Sequence, residues 1–214
     1  MALGSKVIRM MSLTLLITFT LCANASFRDK ALSTCVNDTM AKLNLSSLSS
    51  VTKLKCHNKG IKTLQGIEQL SSLRYLSVFG NKLTSLDVTK LNLLTHLNVA
   101  KNNLSTLEIA GLSNLTELFA FKNKLSTVDL KGLGSLVKLR MMDNQLQSLD
   151  IAPLVSLEAA YLWNNQLKDL DISGLANLKF LDVKQNPMPD ELYDFYDEQV
   201  GITISHDGNA DDWK

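Results

Sequence analysis

Six asparagines, Asn81, Asn102, Asn123, Asn144, Asn165 and Asn186, stand 21 residues apart in this chain. The leucines keep the same interval. Leu73, Leu94, Leu115, Leu136, Leu157 and Leu178 open the units, and Leu76, Leu97, Leu118, Leu139, Ala160 and Leu181 follow three residues later. Leu83, Leu104, Leu125, Leu146 and Leu167 come two residues after each asparagine. A period held this strictly constrains everything else. A conformation adopted by one unit must be adopted by all, and a unit of this length cannot bury its apolar face alone. The units must therefore stack on one another.

The consensus is L-x-x-L-x-V-x-x-N-x-L-x-x-L-D-V-x-x-L-x-x, which matches the leucine-rich repeat. Its L-x-V segment alternates with period two, as a short strand with one buried face does. The asparagine follows where the chain must turn. Its side-chain amide offers both a donor and an acceptor to backbone groups that would be costly to bury unpaired. The expected fold class is an α/β repeat solenoid, a leucine-rich-repeat horseshoe with a parallel concave sheet. Seven strands are expected, starting near Leu54, Leu76, Leu97, Leu118, Leu139, Ala160 and Leu181.

The ends divide the chain further. Lys6 and Arg9 precede an apolar run from Met10 to Cys22, and Ala23-Asn24-Ala25 supplies small residues for cleavage. Residues 1–25 thus read as a secretory signal peptide, the apolar run being short for a membrane span. An uncleaved anchor, or a lipoprotein acylated at Cys22, are the other readings. Cleavage removes two of the 22 basic residues and none of the 21 acidic ones, leaving a net charge of −1. A near-neutral chain lacks the basic footprint of a nucleic-acid binder. The expected address is outside the cytoplasm: periplasm, cell surface or extracellular, with no stable membrane insertion after cleavage.

Cys35 and Cys56 then remain as an even pair in an oxidising compartment, which favours a disulfide, with two buried free thiols as the alternative. Residues 26–50 are expected to form a helical N-terminal cap. An amphipathic helix over 29–43 would place Leu32, Val36, Met40 and Leu43 on one face and bring Cys35 toward Cys56. Residues 51–188 hold the repeats. Residues 189–214 form a short C-terminal cap and tail, with Leu192, Tyr193, Phe195 and Tyr196 followed by an edge strand through Val200, Ile202 and Ile204.

Val51-Thr52-Lys53-Leu54, Gly60-Ile61 and Leu64-Gln65-Gly66-Ile67-Glu68-Gln69-Leu70 resemble the first repeat of internalin-type bacterial proteins. Phe27-Arg28-Asp29-Lys30-Ala31-Leu32 resembles the start of that family's helical cap. The 21-residue period and Cys56 in the first strand are similar to the cysteine-bearing internalins. The resemblance implies a surface or secreted protein that recognises a protein ligand through its concave face.

Little in the sequence suggests chemistry. His57, His96 and His206 are scattered, with no pair at metal-ligand spacing, and no nucleophile stands beside a base. Asp207, Asn209 and Asp211 alternate like the start of a calcium loop, but Asp212 occupies the position where such a loop needs glycine. The column Asp87, Glu108, Asp129, Asp150 and Asp171 reads as carboxylates accepting backbone N–H bonds in the outer turn, with a cation ladder as the alternative. No enzyme, cofactor or metal is expected.

The concave face is the informative surface. Residues flanking the inward L-x-V positions must point outward from the core. One column runs Ser77, Asn98, Phe119, Arg140, Tyr161, Asp182, and the next runs Phe79, Ala100, Phe121, Met142, Trp163, Lys184. A third holds Tyr75, His96, Glu117, Lys138, Ala159 and Phe180. Tyr75, Phe79, Phe119, Phe121, Arg140, Met142, Tyr161 and Trp163 are therefore the candidate partner-binding residues, since aromatics, Met and Arg are the types enriched at interface centres. The expected function is an exported, monomeric protein-binding module. The alternatives are carbohydrate binding, with sugar rings stacked on Trp163, Tyr161 and Phe121, and a purely structural envelope protein.

Overall fold

The structure, a computed structural model, describes residues 27–208. The signal segment expected over residues 1–25 lies outside the described residues, and so does the tail from Asn209. The chain opens with helix α1 (Lys30–Lys42) and continues through β1 (Lys53–Lys55), β2 (Tyr75–Ser77), β3 (Ser85–Asp87), β4 (His96–Asn98) and β5 (Thr106–Glu108). It then runs through β6 (Glu117–Phe119), β7 (Lys138–Arg140), β8 (Ala159–Tyr161) and β9 (Phe180–Asp182), then helix α2 (Asp190–Asp197) and β10 (Thr203–Ser205).

Eight strands form one parallel sheet in the order β1-β2-β4-β6-β7-β8-β9-β10. Leu76, Leu97, Leu118, Leu139, Ala160 and Leu181 pair in register along it, each burying its side chain. The seven repeat strands stand where the periodicity puts them. The eighth is Thr203–Ser205, which pairs with β9 and so extends the repeat sheet itself. A second sheet of two strands, β3 and β5, lies on the return side of the coil and was not expected. There the Leu-Asp-Val segment is extended enough in two successive units to exchange backbone bonds.

The asparagine ladder holds the coil together. Asn144 Oδ1 accepts from the Leu125 N–H of the preceding unit (3.1 Å), while its Nδ2 donates to Met141 O (3.0 Å) and to Ala120 O one turn back (3.1 Å). Asn102, Asn123 and Asn165 repeat these bonds. Each amide thus joins its own turn to its predecessor, and buried backbone groups that cannot reach water are satisfied. Four of the five outer carboxylates bond to the backbone of their own turn. Asp87, Asp129, Asp150 and Asp171 each accept the N–H two residues on, at 2.8 to 3.0 Å. Thr89 and Ser173 accordingly hold the Asp87 and Asp171 carboxyls below the ordinary pKa.

Both open ends of the core are covered. Asp29 caps α1, with Oδ1 accepting from Ala31 and Leu32 N–H (2.8 and 3.1 Å), and it fastens the helix to the first repeat by accepting Lys62 N–H on Oδ2 (2.7 Å). Partial burial works to raise its pKa, but the donors of Lys62, Leu32, Ala31 and Thr63 outweigh it and hold the carboxyl below its ordinary value. Leu32, Cys35 and Val36 form the buried face of α1. Leu43, expected on that face, is instead 53% exposed. The helix has ended there, the chain reverses at Asn44 (φ 52°), and Leu45 and Leu48 pack against the core in its place. At the far end Tyr196 is buried beneath the last units, its hydroxyl donating to Leu170 O (2.9 Å). Burial pushes its phenol pKa up strongly.

Cys35 and Cys56 form a disulfide that ties α1 to the segment just after β1, with Cα atoms 5.9 Å apart. It closes a loop of about 20 residues, for which lost chain entropy in the unfolded state amounts to about 3 kcal/mol. Reduction, or the double variant Cys35→Ala/Cys56→Ala, is expected to lower stability by about that amount in urea titrations. Thiol labelling of the unreduced, denatured protein should find neither cysteine free, and two labelled thiols would refute the bridge.

Candidate functional site

Strand parity sets the concave face. In β2, β4, β6, β7, β8 and β9 the central residue is buried, so its neighbours on either side project onto the open surface. All eight candidate residues lie on that surface, but they form two groups. Neither group is fully open, because the side chains cover one another and each of the eight is half-buried.

The first group lies toward β1. Tyr75 stacks on His96 with ring centres 5.7 Å apart, and His96 Nε2 lies 3.7 Å from Glu117 Oε2. Lys53 and Lys55 bring their ammonium groups over the other side of the Tyr75 ring, at 4.8 and 5.4 Å from its centre. Two positions expected on the open face are buried. Ser77 lies under His57, whose Nε2 is 2.7 Å from its Oγ. Ala100 is small enough that Phe79 and Phe121 meet above it, 6.5 Å apart.

The second group spans β6 to β9. Arg140 is sandwiched between Phe119 and Tyr161, its guanidinium carbon 5.2 and 4.8 Å from their ring centres, and Tyr161 leans on Phe180 at 4.9 Å. Phe121, Met142 and Trp163 form the adjacent column, one per unit. Both rings attract the cation through their π faces. The sandwich also strips water from the base of the guanidinium. Arg140 Nε is buried and has no hydrogen-bond partner.

Asp143 was missed in the sequence. It sits in the same unit, just past Met142, and its Oδ1 accepts from Asn164 Nδ2 (2.7 Å). Its Oδ2 is buried with no hydrogen bond, Lys122 Nζ lying 3.9 Å away. Asp143 has φ +56°, and Asn58, Gly80, Lys101, Lys122, Asn164 and Gln185 share that left-handed conformation in the other units. The signal was present as the residue before each ladder asparagine, but its conformation cannot be seen in residue identity, because only Gly80 in the column is a glycine. Arg140 Nε and Asp143 Oδ2 are thus a buried donor and a buried acceptor, both without a hydrogen bond and both in one unit among the described residues. The arrangement joins a fixed cation, a carboxylate and apolar rings on one face. No cluster of metal-ligating side chains occurs among the described residues.

No family model matches the chain, and no curated protein matches it. Solved structures do. A functional domain of InlJ from Listeria monocytogenes, described as including a cysteine ladder, is 23% identical with a TM-score of 0.44, over 76% of this chain and 51% of that one. A leucine-rich-repeat protein of Leptospira interrogans is 26% identical with a TM-score of 0.38, over 67% of this chain and 52% of that one. Internalin C2 from Listeria monocytogenes is 22% identical with a TM-score of 0.48, over 84% of this chain and 94% of that one. This chain therefore spans about half the length of the first two proteins, at 51% and 52%.

Proposed function

We propose that this chain is an exported protein-binding module that takes a protein partner on its concave face, around Phe121, Arg140, Tyr161 and Trp163. The observation that carries this reading is the pair of buried groups without a hydrogen bond in one unit, Arg140 Nε and Asp143 Oδ2, set among half-buried aromatics. A buried polar atom without a hydrogen bond costs about 1–3 kcal/mol, which the rings around Arg140 and the Lys122 ammonium 3.9 Å from Asp143 Oδ2 offset only in part. A partner that brings an acceptor to Arg140 and a donor to Asp143 removes that cost on binding. The aromatic column beside them supplies apolar area of the kind that dominates interface energy once water leaves.

The reading is tested by capture on immobilised protein. Trp163→Ala or Phe121→Ala is expected to weaken the captured partner's binding by about 2 kcal/mol, roughly 30-fold, with the urea midpoint little changed. Normal binding by both variants would move the site elsewhere. A glycan array run on the same protein separates sugar recognition from protein recognition.

The export part of the reading rests on the N-terminal sequence pattern and on the Cys35–Cys56 bridge, since disulfides persist in oxidising compartments. Protein recovered from the medium or periplasm of the producing cell is expected to begin at Ser26 by intact mass. Recovery of the full chain from the cytoplasm would refute it.

A further inference from the structure

The first strand carries a feature unrelated to the Trp163 patch. β1 stands at the end of the sheet, with β2 as its one strand neighbour. Tyr75 N–H donates to Thr52 O and Cys56 N–H donates to Ser77 O. In a parallel ladder alternate residues turn both backbone groups to the same neighbour, so Thr52, Leu54 and Cys56 face β2, while Lys53 and Lys55 face the other way. The Lys55 carbonyl looks onto Cys35 Sγ at 3.4 Å, and that sulfur, being in the disulfide, has no proton to give. The remaining outward groups of Lys53 and Lys55 have no hydrogen-bond partner among the described residues. An open edge of this kind is a template for another strand.

A groove of about 380 Å³ runs along this edge between β1 and α1. Lys42, Lys53, Lys55 and Lys59 line it, with Asp38 its one carboxylate. None of the four lysines is in a salt bridge among the described residues. Lys53 and Lys55 converge on the single Tyr75 ring, so two like charges are held together with no anion between them. Leu43, which the core leaves 53% exposed, adds an apolar foothold at one end.

We infer that the open edge of β1 is a second binding site, which takes an extended acidic peptide segment of a partner protein as an added strand. Side chains at alternate positions of that strand lie on one face. Acidic residues two apart therefore meet Lys53 and Lys55 on the concave side, while the main chain takes up the open backbone groups. The lysines also make the site selective. Edge lysines discourage pairing with neutral or basic strands, and an acidic strand reverses that effect by neutralising them. The combination of backbone donors and acceptors, an apolar foothold and charges spaced by strand geometry fits a peptide better than a sulfated sugar, which needs the charges alone.

The probe is a fluorescein-labelled heptapeptide, Thr-Glu-Val-Glu-Val-Glu-Thr, titrated into the purified protein at low salt. Saturable binding is expected, weakened 10-fold or more when the glutamates become lysines, when alternate backbone amides are N-methylated, or in the variant Lys53→Glu/Lys55→Glu. Amide exchange at Lys53 and Lys55 should slow on binding. Trp163→Ala should leave all of this unchanged, which separates this site from the concave patch. Absence of saturable binding, equal binding of the N-methylated peptide, or binding of dextran sulfate without the peptide would each overturn the inference. So would loss of binding in Trp163→Ala with retention in the lysine variant, since the peptide would then sit on the aromatic patch.

Discussion

Asn144→Leu is expected to destabilise the solenoid by about 2–6 kcal/mol. The side chain is buried and mid-coil, and leucine matches its shape closely enough that packing alone offers little reason for damage. The loss comes from hydrogen bonding. Without the amide, the Leu125 N–H is left unpaired in the interior, and the carbonyls of Ala120 and Met141 each lose one of two amide donors, keeping those of Asn123 and Asn165. At about 1–3 kcal/mol for the orphaned N–H and about 0.5–1.5 kcal/mol for each lost bond to a carbonyl, the total is about 2–6 kcal/mol, against a typical domain stability of about 5–15 kcal/mol. The urea midpoint read by circular dichroism should fall accordingly. Asn144→Asp keeps the acceptor for Leu125 but turns a buried carboxylate oxygen toward the carbonyls of Ala120 and Met141, so it should not restore the stability. Asn123 makes the same bonds but is half-buried, and water can reach part of what its removal exposes, so Asn123→Leu should cost less. A change below about 1 kcal/mol at Asn144 would show that the ladder follows from the coil and does not hold it.

Leu139→Ala is the second large effect, for a different reason. Leu139 is fully buried and pairs in register with Ala160 on one side and Leu118 on the other. Truncating a buried leucine costs about 2–5 kcal/mol, and more where neighbours cannot close the cavity. Here the space opens beside a position already occupied by alanine, so two small side chains would stand together in one column. The loss should fall at the upper end of that range in the same titration. Trp163→Ala lies on the opposite face of the same sheet and serves as the internal control. Equal destabilisation by the two changes would mean that Trp163 belongs to the core, contrary to its place in the strand register.

The coil was legible in the sequence because one pattern is printed six times, so that an irregularity in one unit, such as Ala160 for leucine, does not obscure the column. Parity along each strand likewise gave the direction of Phe121, Arg140 and Trp163. It could not give their burial. How far Phe79 reaches toward Phe121 depends on Ala100 between them, and whether Ser77 is open depends on a histidine from the preceding unit. These are contacts between units, and a column read one unit at a time does not contain them. The ends were harder for the same reason. Neither the exposure of Leu43 nor the lysine groove follows from α1 or β1 alone, since both arise from how the helix sits against the strand. The C-terminal strand was expected from its alternation, but its pairing partner, β9, was not.

The ladder has a bearing on how such a surface changes over generations. Each asparagine fastens its own turn to the one before, so the coil is indifferent to the number of turns. At its ends the sheet takes in an extra residue or two, Leu54 pairing with Leu76 and Leu181 with Ile204, but between the ladder asparagines the spacing is constant, and there a change of whole multiples of the period keeps every column. Loss of residues 124–144 would splice Asn123 to Gln145 with the core columns unbroken. It would also remove Arg140, Met142 and Asp143 at a stroke and set Phe119 directly beside Tyr161. An arginine-centred patch would become an aromatic one in a single genetic event, with the repeat columns kept in register. Point substitution alters such a face one side chain at a time, whereas the periodic backbone lets it be reshuffled by the row.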